Sequence, residues 1–215
     1  VRHRNAGGFT LIELMVAIAA MALLAMMSWR GLDGMTRAQA QTQTRGDAVL
    51  TLQTTLSQWS TDLDATVAIT KLRPIDWNGS VLRLTRRSAD GAQPAVLVVA
   101  WAIRTDAATG TQWRRWQSPP VVTQAEWQQA WERAAAWAQD GGTVAGGAEL
   151  MLMPLESWQL SYFRGGVWTA AVGADGLSNT IPDGVRLMLN LPPGPGLAGT
   201  LTRDWVRPTA AVPKT

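Results

Sequence analysis

Gly8-Phe9-Thr10-Leu11-Ile12-Glu13-Leu14 lies between a short basic leader, carrying Arg2 and Arg4, and an apolar run that reaches Trp29. From Leu14 to Met27 the run contains no polar side chain. Phe9 to Trp29 is 21 residues, or about 31 Å as a helix, which matches the hydrocarbon core of a bilayer. One carboxylate, Glu13, interrupts the run near its start, and a lone acid there is costly in lipid. Trp29 and Arg30 stand where a membrane-interface anchor belongs. The basic leader puts the N-terminus on the cytoplasmic side and the bulk of the chain on the other. A conventional secretory signal would end its apolar region at a small-residue cleavage site. Here no clean Ala-x-Ala follows the run, and the glycine pair Gly7-Gly8 precedes it.

Composition narrows what the rest can do. The 215 residues allow one membrane segment and one globular domain. There is no cysteine, so disulfides, thiolate metal sites and cysteine nucleophiles are excluded. The one histidine, His3, lies in the leader. A chain beginning at Phe9 has no histidine base and no histidine metal ligand. Carboxylates, Lys, Ser, Thr and the single Tyr162 remain, which leaves a carboxylate-only hydrolase as the open enzymatic route. The net charge of +3 falls to +1 without Arg2 and Arg4, and no long basic cluster exists. Nucleic-acid binding is therefore not expected. No Gly-rich phosphate loop, helix-borne metal motif or internal repeat occurs.

Beyond the membrane segment, Val49, Leu52, Leu56, Trp59 and Leu63 recur at intervals of three and four. That stripe predicts an amphipathic helix docked on a core. One long helix is expected from Phe9 to Leu63, with Gly31 and Gly34 weakening it as a flexible joint above the bilayer. Asp62 and Asp64 read as solvated acids near its end. Lys71 to Asp76, with Pro74, reads as an extended connection. Strands are expected over Val81–Arg86, Ala95–Ile103, Thr111–Gln117, Ser157–Phe163, Gly166–Ala170, Val185–Leu191 and Thr200–Arg207. The continuous apolar run Ala95–Ile103 suits a central strand covered on both faces. Val185, Leu187, Leu189 and Leu191 alternate with Arg186, Met188 and Asn190, so one face of that strand is buried. Thr123 and Glu126 have capping-box spacing and open a helix ending near Gln139. Its face carries Trp127, Trp131, Ala134 and Ala138, and a flexible segment follows at Asp140–Gly147. Pro192 to Gly196 reads as a rigid loop, and Pro208 to Thr215 as a frayed end.

Twelve tryptophans stand against one tyrosine and two phenylalanines. They read as core and interface packing, and the functional alternative is a stacking surface for sugar or nucleic acid. In Trp113-Arg114-Arg115-Trp116 a strand would send Trp113 and Arg115 one way and Arg114 and Trp116 the other. The four do not form one patch.

Gly8-Phe9-Thr10-Leu11-Ile12-Glu13, followed by its apolar run, resembles the class III signal of type IV prepilins and type II secretion pseudopilins. The resemblance implies a cut between Gly8 and Phe9 by a membrane-embedded prepilin peptidase and N-methylation of Phe9. It also makes Glu13 an assembly charge, paired with the freed amine of Phe9 on this or a neighbouring subunit. The fold implied is α+β, a pilin-like long N-terminal helix, membrane-spanning in its lower half, packed on antiparallel β-sheets. The expected divisions are a cleaved leader over 1–8, a transmembrane helix over 9–29, a periplasmic continuation over 30–65 and a β-rich domain over 66–215.

Four further stretches resemble the minor pseudopilin of the J type. They are Trp29-Arg30-Gly31-Leu32-Asp33, the helix from Leu52 to Asp62, Leu72-Arg73-Pro74-Ile75-Asp76, and Ile181-Pro182-Asp183-Gly184-Val185-Arg186-Leu187 preceded by Gly166-Val167-Trp168. The Trp- and Ala-rich helix at Thr123–Gln139 departs from that pattern. The resemblance implies a single-pass inner-membrane protein at the tip of a periplasmic pseudopilus, with no enzymatic activity, no cofactor and no metal. Implied partners are the peptidase, minor pseudopilins of the I and K types, the major pseudopilin, inner-membrane lipid, and the secretin and secreted substrate. Two other readings stay open. One is a minor pilin of a type IV pilus or DNA-uptake machine. The other is a membrane-anchored carbohydrate-binding or hydrolytic domain, which exposed tryptophans in a groove beside paired carboxylates would favour.

Overall fold

The computed structural model describes residues 10–88, 95–139, 147–171 and 180–208. The chain separates into two compact units, Val1–Gly46 and Asp47–Thr215. Helix α1 (Leu11–Asp64) is unbroken, and its first part is long and apolar enough to cross a membrane. From Leu11 to Met35 its large apolar side chains are all exposed. At Gly31 and Gly34, where the sequence suggests a flexible joint, the backbone is helical. The helix continues through both, and a Cβ added at either would meet nothing. Arg37 pairs with Asp33 at 2.8 Å between exposed side chains, which at about 0.2–0.5 kcal/mol recovers only part of the roughly 1 kcal/mol that each glycine costs.

In the second unit, five strands form one antiparallel sheet in the order β1-β2-β3-β4-β5. They are β1 (Ile75–Trp77), β2 (Val81–Arg87), β3 (Val96–Asp106), β4 (Gly110–Gln117) and β5 (Ala148–Pro154). A second antiparallel sheet has the order β7-β6-β8-β9, from β6 (Ser157–Arg164), β7 (Val167–Ala170), β8 (Gly184–Leu191) and β9 (Gly199–Val206). Helix α2 (Gln124–Gln139) packs mainly on β3. The β6–β7 turn uses Gly165 and Gly166 at φ 56° and 87°, the left-handed pair that a tight hairpin needs and that side chains resist.

Two cores lie on opposite faces of the first sheet. The larger joins Leu52, Trp59 and Leu63 of α1 to Leu82, Leu84, Val99, Trp101 and Trp113 of the first sheet and to Trp158, Leu160, Val185, Leu187 and Leu189 of the second. The smaller joins Val98, Ala100, Ala102 and Trp116 to Trp127, Ala130, Trp131, Ala134 and Trp137 of α2. Strand β3 therefore serves both cores with alternate side chains, which is why its sequence is apolar throughout. In β8 the expected alternation holds, with Val185, Leu187, Leu189 and Leu191 buried.

Ten of the twelve tryptophans are buried. Trp59 sits among Trp101, Trp113 and Trp158 at centroid distances of 5.2, 5.6 and 6.0 Å. Those partners come from both sheets, so indole area fills the space where helix and sheets meet. Trp113 faces this core and Trp116 the other, as strand alternation requires.

Asp62 is not the solvated acid its position suggested; it is fully buried. Arg115 donates from Nε at 2.6 Å and from Nη2 at 2.9 Å. Arg86 Nη1 donates at 2.7 Å, Trp101 Nε1 at 3.0 Å and Gln58 Nε2 at 3.0 Å. A negative charge in the last turn opposes the helix dipole, so burial there depends on these cations and donors. Asp64, two residues on, is exposed and accepts from Trp205 Nε1 of β9 at 2.8 Å. The Lys71–Asp76 connection also contains more than expected, since Ile75–Trp77 pairs with β2. Strand β5 had no counterpart in the sequence reading.

Truncating Asp62 leaves two guanidiniums facing each other in the interior. Asp62→Ala should cost about 3–5 kcal/mol, read as a lowered midpoint in urea, with Asp62→Asn between it and the native chain. A change below about 1 kcal/mol would contradict a buried pair.

Candidate processing and assembly site

Of the residues singled out in the sequence, Gly8 and Phe9 lie outside the described residues, whereas Glu13, Trp29 and Arg30 are on α1. Thr10 precedes the helix as its N-cap. Its backbone N–H and its hydroxyl both donate to Glu13 Oε2, at 3.0 and 2.9 Å, and the first helical bond runs from Leu14 N–H to the Thr10 carbonyl at 3.3 Å. The Thr10 hydroxyl also faces the Glu13 N–H, at the longer distance of 3.4 Å. This is a capping box with the carboxylate three residues after the cap. It places the negative charge at the positive end of the helix dipole. The acid that looked anomalous in an apolar run has a local partner, and Oε1 accepts nothing among the described residues. Trp29 is 74 % exposed, and Arg30 is exposed beside it, on a helix that offers them no tertiary cover.

The second unit shows no arrangement suited to carboxylate hydrolysis among its described residues. Asp106 and Glu149 come together, but Arg114 stands between them, its Nη1 2.8 Å from Glu149 and its Nη2 on Asp106. Arg104 and the Trp137 indole also donate to Glu149, at 3.1 and 2.9 Å. Burial pushes the Glu149 carboxyl up, but Arg114, Trp137 and Arg104 outweigh it and leave it below the usual range. The Thr109 hydroxyl and amide, followed by Arg114, hold Asp106 well below that range. A general acid needs a raised carboxyl, and this pair is pulled the other way. No group of three or more Asp, Glu, His or Cys suited to a metal occurs among the described residues.

The cavities and tryptophans agree with this. A groove of about 740 Å³ is lined by Val67, Ile69, Leu72, Val96, Val121 and Val122 among others, and among the described residues it contains Arg87 and no carboxylate. Trp168 of β7 is 36 % exposed, but the Arg186 guanidinium lies 4.3 Å over its ring and occupies the face that a sugar would use. The remaining tryptophans of this unit are buried.

Residues 3–29 match the prokaryotic N-terminal methylation motif. That span covers Gly8, Phe9, Glu13 and Trp29, so the chain carries the motif at its start. None of the curated proteins matches the chain. Among solved structures, a chain of the GspK-GspI-GspJ complex from the enterotoxigenic Escherichia coli type 2 secretion system is similar, at 17% identity and a TM-score of 0.49. The match covers 76% of this chain and 99% of that one.

The Glu149 cluster makes a pH prediction. Its folded carboxyl sits below the unfolded value, so its contribution is complete above about pH 4.3 and fades as pH falls through the lower folded value. The environment of Trp137, followed by near-ultraviolet circular dichroism, should be constant from about pH 7 to 5 and change below about pH 4. Glu149→Gln should flatten that acid limb, and a transition near neutrality would contradict it.

Proposed function

We propose that this chain is a minor pseudopilin of a type II secretion system, acting at the tip of the pseudopilus, priming its assembly and helping folded periplasmic proteins cross the outer membrane. The observation that carries the reading is the N-terminal methylation motif at residues 3–29, running directly into a helix apolar enough to span a bilayer. The stretches at Trp29–Asp33, Leu72–Asp76 and Ile181–Leu187, which resemble the J-type component, support the narrower assignment.

In this reading a prepilin peptidase cuts between Gly8 and Phe9, and Phe9 is N-methylated. Residues 9–29 then hold the protein in the inner membrane in a single pass, with the N-terminus cytoplasmic. Residues 30–65 continue the helix into the periplasm, and 66–215 form the domain that meets partners. Glu13 fits the assembly role because its partners in the uncut chain are local and neutral. The amine freed at Phe9 supplies the cation that a carboxylate in lipid requires. The pair would compensate two buried charges and fix axial register between subunits. Partners follow from the same reading: I- and K-type minor pseudopilins, the major pseudopilin, inner-membrane lipid, the secretin and the secreted substrate. The protein acts by binding, without catalysis, cofactor or metal. Nucleic acid is not among its partners.

A minor pilin of a type IV pilus or DNA-uptake machine shares the same N-terminal chemistry. A carbohydrate-binding or hydrolytic domain does not fit tryptophans that are packed inside and acids that are bound to arginines.

Deleting the chain should abolish or strongly reduce export of secreted proteins and leave twitching and DNA uptake intact; the opposite pattern would transfer it to a pilus. Gly8→Ala should leave the precursor uncut. Mass spectrometry of the wild-type protein should find methylated Phe9 at the N-terminus, and any other start would refute the processing site.

A further inference from the structure

The two sheets of the second unit end in four edge strands, and three are guarded against pairing with another chain. Strand β1 has three residues and follows Pro74, while β7 has four. Such short edges offer few bonds. Strand β9 is eight residues long, but Thr200, Thr202, Arg203 and Asp204 along it are all exposed, and Asp204 is paired with Arg186. Charged side chains on an edge oppose pairing with a further strand.

Strand β5 lacks such a guard over its first four residues. Its sequence is Ala-Glu-Leu-Met-Leu-Met-Pro, and laterally it packs on β4 alone among the described elements. A bulge between Met151 and Met153, together with Pro154, protects only its far end. Its one acid, Glu149, is held by Arg104, Arg114 and Trp137, so it does not stand out as a gatekeeper charge. Leu150 and Met151 are each 52 % exposed, one on either face of the strand. Helix α2 packs mainly on β3, less on β2 and β4, and reaches β5 through the Trp137 indole on Glu149. The sheet thus extends one strand past its main cover, and Leu150 and Met151 of that strand are apolar and half exposed.

We propose that the free edge of β5 at Ala148–Met151 is a docking edge for an extended segment of a partner subunit, which adds to the first sheet as a sixth strand. An exposed strand edge presents alternating backbone donors and acceptors, and the ligand that satisfies them is another extended backbone. The bound segment is apolar and uncharged opposite Leu150 and Met151, because the nearby charges already neutralise one another. Methionine at the contact lets the surface adapt to a partner whose shape differs from its own. This proposal rests on the assembly reading above and specifies which part of the domain meets the partner.

The test uses the full-length chain in detergent, alone and within the complex recovered from cell envelopes. Hydrogen exchange should slow by at least about tenfold at Ala148–Met151 in the complex relative to the isolated chain, with the β9 edge unchanged. The double variant Leu150→Lys, Met151→Lys alters exposed side chains and should keep the urea midpoint of the native chain. It should lower recovery of the complex by about tenfold or more, equivalent to about 1.4 kcal/mol. A complex that forms normally with the β5 amides still exchanging freely would overturn the edge assignment while leaving the assembly reading standing. Concentration-dependent protection in the isolated chain would identify a second copy as the occupant and overturn the partner. A chain recovered alone from every envelope preparation would overturn both.

Discussion

The charge of Asp62, buried at the end of α1, is the constraint around which the second unit is arranged. A carboxylate there is unfavourable to the helix and to the core unless cations meet it. The two that do come from β2 and β4, the strands on either side of β3, while β3 itself supplies the Trp101 indole. One side chain therefore fixes the helix against three strands of the first sheet. Asp64 then accepts from Trp205 of the second sheet. Two acids separated by one residue fasten the same helix end to both sheets, and the indoles of Trp59, Trp101, Trp113 and Trp158 fill the space between.

The pattern recurs on the other side of the first sheet. Arg114 and Arg115 are neighbours in β4 and point to opposite faces. Arg115 meets Asp62, and Arg114 meets Glu149 and Asp106. Each cluster centres on a carboxylate that binds two arginines and one tryptophan N–H. The exposed Glu149 cluster secures the end of α2, and the buried one secures the end of α1. A chain without cysteine has no disulfide with which to tie helices to sheets, and here bidentate and branched arginine contacts do that work.

What was legible in the sequence was what local periodicity encodes. The helix stripe ending at Leu63, the doubly covered strand expected at Ala95–Ile103 and found at Val96–Asp106, the alternation in β8 and the capping box at Thr123 and Glu126 all depend on residues a few positions apart. Burial of the tryptophans was legible because strand alternation splits Trp113 from Trp116. The burial of Asp62 was not, because its partners lie 24, 39 and 53 residues away. Strand β5 was hidden for a related reason: an edge strand with both faces half exposed has no two-residue contrast to read. At the N-terminus the six-residue motif was plain, while the Thr10–Glu13 contact gave that acid a local function the motif does not express.

The connectivity of α1 sets an order of events during synthesis. The helix leaves the ribosome first, yet its Asp64 contact is to Trp205, 141 residues later, and its apolar stripe packs on strands up to β8. Hairpins such as β3–β4 can form as soon as they emerge. The docking of Leu52, Trp59 and Leu63 cannot be complete until almost the whole chain has been made. Until then a helix with an uncovered row of large side chains stands beside half-built sheets, the condition under which chains aggregate or recruit chaperones. Folding of this domain is therefore coupled to the completion of its own synthesis.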